Sequence, residues 1–297
     1  MLKIGYFADG KWSHEAFKKL ILDKDISIKF ICVRFDSEDN TLLNYCNQYG
    51  IPYLKHFNIN SPEFFSELNQ FDCDLFVSMS FNQIFKDSII NLPPLKTINC
   101  HAGKLPFYRG RNVLNWVLIN DESEFGITVH YVDSGIDTGD IIAQKIYPIS
   151  DDDDYFKLLE KAYIGCADTL YLAIRQFVEN RVQSFPQSKI HELGFYCTQR
   201  IAGDELINWN QTSRDIFNFV RAICSPGPQA RAILNNKIIK INKCYFIPGA
   251  PSYKGIVGAV VGKNGRSLLV KTLDSTIEIA DYEYDGVIKV GDRFDCK

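Results

Sequence analysis

Three polar residues in two segments of the chain have the types and spacing that acyl transfer to an amine requires. Asn99 and His101 stand two residues apart at the end of an apolar run, so in a strand their side chains share one face. Asp137 lies in a glycine-rich acidic turn, Asp133 to Asp140. An imidazole can accept the amine proton, a carboxamide can donate to the developing oxyanion, and a carboxylate can orient the imidazole. The amine itself attacks, so this chemistry needs no nucleophilic Ser or Cys.

Each of these residues also has a structural interpretation. A single histidine near a strand end is usually structural, and an aspartate in a D-x-G turn usually forms the turn through its own hydrogen bonds. Their joint position favours the chemical interpretation, because ligands of an open parallel sheet bind beyond the carboxyl ends of its strands. We therefore expect Asn99, His101 and Asp137 to meet at such an edge.

The segments that must position these residues alternate between strand and helix patterns in the first half of the chain. This alternation predicts an α/β fold, with a Rossmann-like, mostly parallel sheet and helices on both faces. The predicted strands are 3–8, 26–33, 52–55, 74–78, 97–101, 126–132 and 140–149. The predicted helices start near Ser13, capped by that serine, at Asn40 and at Ser61, and cover 84–92, 115–118 and 154–180.

The pattern changes beyond Pro226. A helix over 212–222, with Ser213 as a possible cap, precedes short strand patterns at 237–245, 255–261, 267–272, 276–280 and 287–290. Short strands separated by Gly, Asn and Asp predict a small C-terminal all-β, OB-like barrel. A chain of 297 residues is longer than one hydrophobic core usually serves. We expect a catalytic domain at 1–185, a linker at 186–210 and a helix-plus-barrel domain at 211–297.

Composition excludes several classes of function. Apolar residues make up 46% of the chain and charged residues 23%, with a net charge of −3, so no general charge favours nucleic acid or a membrane surface. Nine cysteines form no C-x-x-C pair, and no signal peptide or membrane-spanning run is present, which predicts reduced thiols in the cytoplasm. The acidic run Asp151 to Asp154 is interpreted as a solvated helix start, since carboxylates suit a helix N-terminus. A metal site is the alternative, but consecutive residues of a helix point in different directions. No metal is expected.

Two sequence blocks carry a family resemblance. Asn99 to Gly110 (NCHAGKLPFYRG) resembles the N-x-H and L-P-x-x-R-G signature of formyltransferases that use N10-formyltetrahydrofolate. Gly126 to His130 (GITVH) and Ile136 to Asp140 (IDTGD) resemble the second signature of that family. The resemblance implies N10-formyltetrahydrofolate as the formyl donor. It also implies His101 as the base, Asn99 as the oxyanion donor and Asp137 as the orienting carboxylate.

The acceptor is indicated by the residues around these blocks. The stretch R-G-R-x-x-L-N-W from Arg109 is similar to sugar N-formyltransferases, and Asp9 to Ala16 and Ser78 to Ile84 resemble enzymes acting on dTDP-4-amino-4,6-dideoxyhexoses. The resemblance implies a nucleotide-linked amino sugar, with dTDP-4-amino-4,6-dideoxyglucose as the first choice, and a place in lipopolysaccharide O-antigen biosynthesis. UDP- or GDP-linked 4-amino sugars remain alternatives.

Methionyl-tRNA is the other alternative acceptor. It predicts a basic stripe on the C-terminal barrel, which must come from Lys237, Lys240, Lys243, Lys254, Lys263, Arg266 and Lys271. Acidic residues near the end of the chain offset these cations. The edges of the barrel could also pair two copies of the chain as a homodimer.

The binding residues are predicted from their positions. For the substrate they are Gly10, Lys11, Trp12, Arg109 and Tyr196, because a helix N-terminus and a guanidinium suit a diphosphate and aromatic rings can stack on a sugar or base. For the folate they are Ser80, Phe81, Asn82, Gln83, Ile84, Leu105, Asp133 and Asp137. The alternatives are an ordinary exposed loop at Gly10, a structural ion pair for Arg109, and ordinary core roles for Phe81 and Ile84.

Overall fold

The computed structural model describes residues 1–295, which divide into two compact units. The first unit contains Met1–Arg111, Phe125–Tyr147 and Glu160–Cys197. The second contains Asn112–Glu124, Pro148–Leu159 and the residues from Thr198 onward. The division therefore assigns two short segments that precede residue 160 to the second unit. The continuous domain boundaries at 185 and 210 remain a prediction.

The helices and strands up to Cys197 follow the alternation expected from the sequence. The strands are Leu2–Ala8 (β1), Ile26–Val33 (β2), Tyr53–Lys55 (β3), Leu75–Met79 (β4), Thr97–His101 (β5), Arg109–Gly110 (β6), Glu124–Tyr131 (β7), Ile141–Pro148 (β8) and Tyr196–Cys197 (β9). The helices are Gly10–Leu20 (α1), Asn40–Tyr49 (α2), Pro62–Asn69 (α3), Asp87–Ile90 (α4), Val113–Ile119 (α5) and Tyr155–Val178 (α6), with a 3-10 turn at Gln187–Lys189.

The main sheet has the strand order β3-β2-β1-β4-β5-β7-β8. Its strands are parallel from β3 to β5, and the winding reverses between β1 and β4, so the predicted mostly parallel α/β sheet is confirmed. β7 runs antiparallel to β5, with Tyr131 opposite Ile98. The turn after β7 therefore leaves the sheet beside the amino end of β5, which corrects the expectation that it leaves from the same edge as His101.

An aromatic cluster fixes the strand ends that lead to the site. The Phe7 ring makes edge contacts with Phe30, Phe76, Phe81 and Phe85, at centroid distances of 4.9–5.5 Å. β1 and β4 are buried along nearly their whole length, as expected for central strands covered on both faces. Burying one such ring contributes about 2–3 kcal/mol. The cluster thus anchors the loop after β4 to the core.

The helix ends show which of the capping residues predicted from the sequence are correct. Ser61 caps α3 and Gly50 ends α2 in the left-handed conformation, so both predictions are confirmed. Ser13 is not a cap: α1 already begins at Gly10, and the Ser13 hydroxyl donates to the Gly10 carbonyl. Thr212 rather than Ser213 caps the helix Ser213–Ile223 (α7), because its side chain and that of Asp215 form a capping box. The helix predicted over 84–92 is shorter in the structure, where only α4 is helical.

The strands after α7 form one antiparallel sheet in the second unit, which confirms a small C-terminal β domain. They are Ala230–Leu234 (β10), Lys237–Phe246 (β11), Val260–Asn264 (β12), Ser267–Lys271 (β13) and Thr276–Glu283 (β14), in the order β10-β11-β14-β13-β12. β10 was not predicted. The predicted strand at 287–290 is absent, and Val287 and Val290 are exposed. The strand predicted at 255–261 begins only at Val260.

Membrane-spanning helices and metal-binding clusters are both absent from residues 1–295. No helix in this range is long and apolar enough to cross a membrane. Within the same range, no group of three His, Cys, Asp or Glu side chains is arranged to hold a metal ion. Eight cysteines, all in this range, are buried free thiols; the ninth, Cys296, lies outside the described residues.

Candidate active site

Asp137 is the centre of the predicted constellation. Its Oδ2 accepts a hydrogen bond from the Gly110 N–H at 2.9 Å and lies 3.5 Å from His101 Nδ1. Its Oδ1 lies 3.4 Å from His130 Nε2. The turn after β7 thus folds back over the sheet, and the structure brings His101 and Asp137 together as the sequence predicts. A second imidazole, His130, completes the clamp.

The pKa of Asp137 lies well below the usual range of a carboxyl group. Burial by itself raises this pKa, but the His101 and His130 imidazoles and the Gly110 N–H together outweigh burial. Asp137 therefore stays ionised at any pH at which an amine could react. It supplies a fixed negative charge between the two rings.

The His101 ring is held in one tautomer by a backbone carbonyl. Its Nε2 lies 2.7 Å from the Tyr108 carbonyl oxygen, which can only accept, so Nε2 carries the hydrogen. In the neutral ring the lone pair is then on Nδ1, which faces Asp137. A proton added at Nδ1 gains a charge-assisted bond to that carboxylate. A Cβ at Gly103 would lie 2.3 Å from His101 Nε2 and 2.4 Å from the Tyr108 oxygen, so only glycine leaves this contact intact.

Asn99 reaches the carboxylate through His130, a residue that sequence reasoning missed. Asn99 Nδ2 lies 3.3 Å from His130 Nε2, and among the described residues no hydrogen bond joins Asn99 directly to His101 or Asp137. The available signal was the pairing of β5 with β7, in which Asn99 stands directly opposite His130. His130 was visible within the GITVH block, but a role for it requires knowledge of that pairing.

The structure brings Arg109 and Tyr196 together from distant parts of the sequence. They are partners in the parallel β6–β9 pair, and the Arg109 guanidinium lies 5.6 Å from the centre of the half-exposed Tyr196 ring. Arg109 Nε and Nη2 both donate to Gln187 Oε1, at 3.1 and 2.6 Å. Gln187 Nε2 in turn donates to the carbonyls of Asp137 and Gly139.

The charge on Arg109 has no acidic partner in the described part of the chain, where its polar contacts are those with Gln187. The structural ion pair considered as the alternative role is therefore replaced by a neutral amide. A guanidinium held in place without a carboxylate keeps its charge for an anionic ligand. Gly110, the next residue, donates its N–H to Asp137, so this cation lies next in sequence to a residue that contacts the Asp137 carboxylate.

The loop at Gly10 is arranged differently. The Gly10 N–H donates to Asp39 Oδ2 at 2.8 Å, and Lys11 Nζ donates to Glu160 at 2.7 Å. The Trp12 ring packs edge-on against Tyr163 with centroids 4.6 Å apart. The donors of this loop already have carboxylate partners within the first unit. The substrate role of Gly10, Lys11 and Trp12 remains a prediction.

The residues predicted for the folate fall into two groups. In the loop after β4, Phe81 packs on the core cluster, and the Asn82 and Gln83 side chains are bonded to Asp36 and to the backbone of His56 and Ile59. Ile84 is 71% exposed, so its alternative core role does not apply. Ser80 has φ 59° and turns the chain at the end of β4.

The backbone of this loop fits a flat heterocycle. The N–H groups of residues 81–84 have no hydrogen-bond acceptor within residues 1–295, and the exposed Ile84 side chain stands beside them. In the second group, Leu105 is fully buried, and Asp133 accepts from Gly135 N–H and the Thr138 hydroxyl, which shapes the Asp137 turn. Direct folate contacts of Leu105 and Asp133 remain predictions.

Known proteins resemble this chain in sequence and in fold. A family model described as formyl transferase matches residues 34–164, and one described as formyl transferase, C-terminal domain, matches residues 201–289. The methionyl-tRNA formyltransferase of Desulforamulus reducens is 32% identical over 81% of this chain and 74% of its own length. That of Syntrophus aciditrophicus is 35% identical over 70% of this chain and 67% of its own.

Two solved structures match the chain nearly end to end. WlaRD, a sugar 3N-formyl transferase crystallised with dTDP and 5-N-formyl-THF, has a TM-score of 0.70 at 22% identity, covering 95% of this chain and 98% of its own. The N-formyltransferase of Helicobacter canadensis, in complex with folinic acid and dTDP-3-aminofucose, has a TM-score of 0.70 at 24% identity, covering 95% and 100%. At these identities the likeness establishes the fold.

Proposed function

Because the chain belongs to the formyl transferase family, whose donor is a formyl-tetrahydrofolate, we propose that its acceptor is the amino group of a nucleotide-linked sugar. Our first choice is dTDP-4-amino-4,6-dideoxyglucose. The observation that carries this proposal is the Arg109 guanidinium, which lacks an acidic partner in the described chain and lies over the Tyr196 ring. A phosphate and a planar or sugar ring fit that pair, one residue from the Gly110 amide that holds Asp137.

The reaction follows from the clamp on Asp137. The acceptor nitrogen forms a bond to the formyl carbon, and the bond from that carbon to the donor nitrogen breaks. His101 takes the amine proton at Nδ1, where Asp137 stabilises the resulting cation, and the departing nitrogen receives a proton in return. Asn99 donates to the oxyanion, a contact worth about 10²- to 10³-fold in rate. General base catalysis by His101 contributes about 10²- to 10⁴-fold.

The second unit also supports a small acceptor over tRNA. Lys237 and Lys240 lie near Asp285 and Glu283, and Lys271 is buried with its ammonium donating to the Thr272 carbonyl. Lys263 is likewise turned to the Ile288 carbonyl. Four of the seven cations predicted for tRNA binding thus have partners within the unit, whereas Lys243, Lys254 and Arg266 are exposed.

A panel of acceptors tests the proposal. The enzyme is incubated with N10-formyltetrahydrofolate and with dTDP-, UDP- and GDP-linked amino sugars, and each product is examined by mass spectrometry. We expect one dTDP-linked 4-amino sugar to gain the mass of a formyl group, with no gain for the corresponding sugar that lacks the amine. The proposal fails if no nucleotide sugar is formylated. The variant His101→Asn is expected to abolish turnover while folate binding is retained.

Methionyl-tRNA remains the second candidate because the sequence relatives at 30–35% identity carry that function. The same assay should therefore include methionyl-tRNA, together with filter binding of tRNA at several salt concentrations. Tight binding that falls steeply with salt, followed by formylation, would replace the sugar proposal.

We further propose that the chain forms a homodimer through the edges of the C-terminal sheet. β10 and β12 are its terminal strands. Each is bonded in part by another segment, β10 by residues 205–207 at Arg231 and β12 by residues 291 and 292 at Val260. The parts of the edges beyond these contacts can join sheets from two copies. Light scattering at several protein concentrations tests this, and a mass equal to one chain throughout would refute it.

A further inference from the structure

His130 is the buried polar group of the site to which the reaction above gives no task. It is 2% exposed and stands on β7 directly opposite Asn99 on β5. Its Nδ1 lies 2.7 Å from the Tyr131 carbonyl oxygen, and its Nε2 lies 3.3 Å from Asn99 Nδ2 and 3.4 Å from Asp137 Oδ1. Both ring nitrogens therefore have hydrogen-bonding partners. The Tyr131 carbonyl oxygen can only accept a hydrogen, whereas Asn99 Nδ2 can only donate one.

We propose that His130 is a positioning residue that orients the Asn99 carboxamide, so that one amide hydrogen binds His130 and the other faces the formyl oxygen. This inference deepens the proposed function and rests on it for the identity of that oxygen. It adds a fourth residue to the three that carry the chemistry.

The first step is the tautomer of His130. A carbonyl oxygen only accepts hydrogen bonds, so the contact with Tyr131 requires a hydrogen on Nδ1. In the neutral ring Nε2 is then a lone-pair acceptor. A Cβ at Gly139 would lie 1.9 Å from the Tyr131 oxygen, so the absence of a side chain there keeps this carbonyl in place.

The second step is the orientation of Asn99. Its Nδ2 can only donate and its Oδ1 can only accept, and the two ends of the amide are interchanged by a half turn. With Nε2 as an acceptor, Nδ2 must face His130, because the reverse orientation would bring two lone pairs together. The backbone carbonyl thus fixes the tautomer, and the tautomer fixes the amide.

The consequence concerns the second hydrogen on Asn99 Nδ2. With one hydrogen bound to His130, the other is presented as the donor that the oxyanion needs. A freely rotating amide would spend part of its time with Oδ1 in that place, where its partial negative charge opposes the developing charge. Positioning of Asn99 should therefore affect turnover far more than binding.

Two charged or titratable groups face this contact. Asp137 comes from the turn after β7, and His101 on β5 faces the same carboxylate from its other side. A proton on His130 Nε2 would turn that nitrogen into a donor for Asp137 and remove the acceptor for Asn99. The proposed orientation of Asn99 therefore requires the neutral His130 ring, with its hydrogen on Nδ1.

Two variants separate positioning from packing. His130→Met fills the space but offers no comparable acceptor, and we expect kcat to fall about 10- to 100-fold, with the KM of the acceptor and the Kd of the folate within about twofold. His130→Gln can place its carbonyl oxygen near the position of Nε2, and we expect it to recover most of kcat. His191→Gln, on the exposed histidine after the 3-10 turn, is the control and should match wild type. Equal rates in His130→Met and wild type, or no recovery in His130→Gln, would overturn the proposal.

A spectroscopic measurement tests the same idea without any acceptor. In protein labelled with ¹⁵N-histidine, the resonances lost in His130→Gln identify His130, and their shifts report which nitrogen carries the hydrogen. We expect the Nδ1–H tautomer near neutral pH. The Nε2–H tautomer would refute the inference even if the sugar is correct. A missing product in the acceptor panel, with the Nδ1–H tautomer present, would refute only the proposed acceptor.

Discussion

The loop at Gly10 and the strand pair at Arg109 both carry hydrogen-bond donors that suit an anion. The donors at Gly10 are bound to acidic side chains of the protein, whereas the guanidinium of Arg109 is not. At Gly10 the helix N-terminus and Lys11 are matched by Asp39 and Glu160, which lie 29 and 149 residues away in the sequence. At Arg109 the guanidinium is held by the neutral side chain of Gln187. An anion site thus depends on which cation lacks an internal acid, as much as on where cations occur.

The largest expected effect lies where the Arg109 strand meets Asp137, the carboxylate that we propose stabilises the His101 cation. In Asp137→Asn the Gly110 N–H keeps an acceptor, but the His101 cation loses its counter-charge, so we expect kcat to fall about 10³-fold or more. Single-turnover formyl transfer measures this. Asp140→Asn, on an exposed carboxylate of the same turn, is the control and should retain activity. A near-normal rate in Asp137→Asn would exclude this carboxylate from the chemistry.

The second prediction sets the two cations directly against each other. Arg109→Gln should raise the KM for the nucleotide sugar about 10- to 100-fold, since a charge-assisted contact is worth about 1.5–3 kcal/mol. Lys11→Gln should change KM by less than about twofold, because its charge already faces Glu160. Steady-state kinetics of both variants decide the matter. A larger effect at Lys11 would reverse the comparison.

The third prediction tests whether an acidic partner makes the Arg109 site behave like the Lys11 site. Gln187→Glu gives Arg109 the acidic partner that Lys11 has, so we expect a KM about 5- to 10-fold above that of the matched variant Gln187→Met. Both variants lose the donors to the Asp137 and Gly139 carbonyls, and only one adds charge. Their ratio therefore isolates the charge. Equal KM values would show that the free charge on Arg109 does not bind the substrate.

The smallest expected effect concerns stability at the Gly10 loop. Burial raises the pKa of Asp39, but hydrogen bonds from Leu42, His14 and Gly10 outweigh it and leave the pKa below its ordinary value. The ionised carboxylate therefore stabilises the fold above the unfolded pKa of about 4, and this contribution is lost as pH falls through the folded pKa. Asp39→Asn should lower the free energy of unfolding by about 1 kcal/mol at neutral pH.

Urea denaturation at several pH values measures this difference. The gap between wild type and Asp39→Asn should narrow toward acidic pH, while the KM for the acceptor stays unchanged. A gap that widens on acidification would contradict the direction of the shift.

Local sequence signals were sufficient wherever a structural feature depends on neighbouring residues. The bounds of β5 were predicted correctly, as were the Ser61 cap and the Gly50 helix end, because periodicity and capping act within one turn. His130 and Gln187 could not be placed in this way. Their roles come from a strand pairing and from contacts across 78 and 50 residues of sequence. Likewise, Asp39 accepts the hydrogen bond of the Gly10 N–H from another segment of the chain, and no local sequence pattern predicts this contact.

The two glycines that adjoin the carbonyl partners of His101 and His130 have a consequence for protein engineering. A side chain at Gly103 would displace the Tyr108 carbonyl, and one at Gly139 would displace the Tyr131 carbonyl. Each carbonyl decides which nitrogen of its histidine carries the hydrogen. In a saturation library these two positions should therefore tolerate no replacement, although neither glycine contributes a functional group to the proposed reaction. A design that transfers this site to another scaffold must therefore keep both glycine positions free of side chains, in addition to keeping the functional groups.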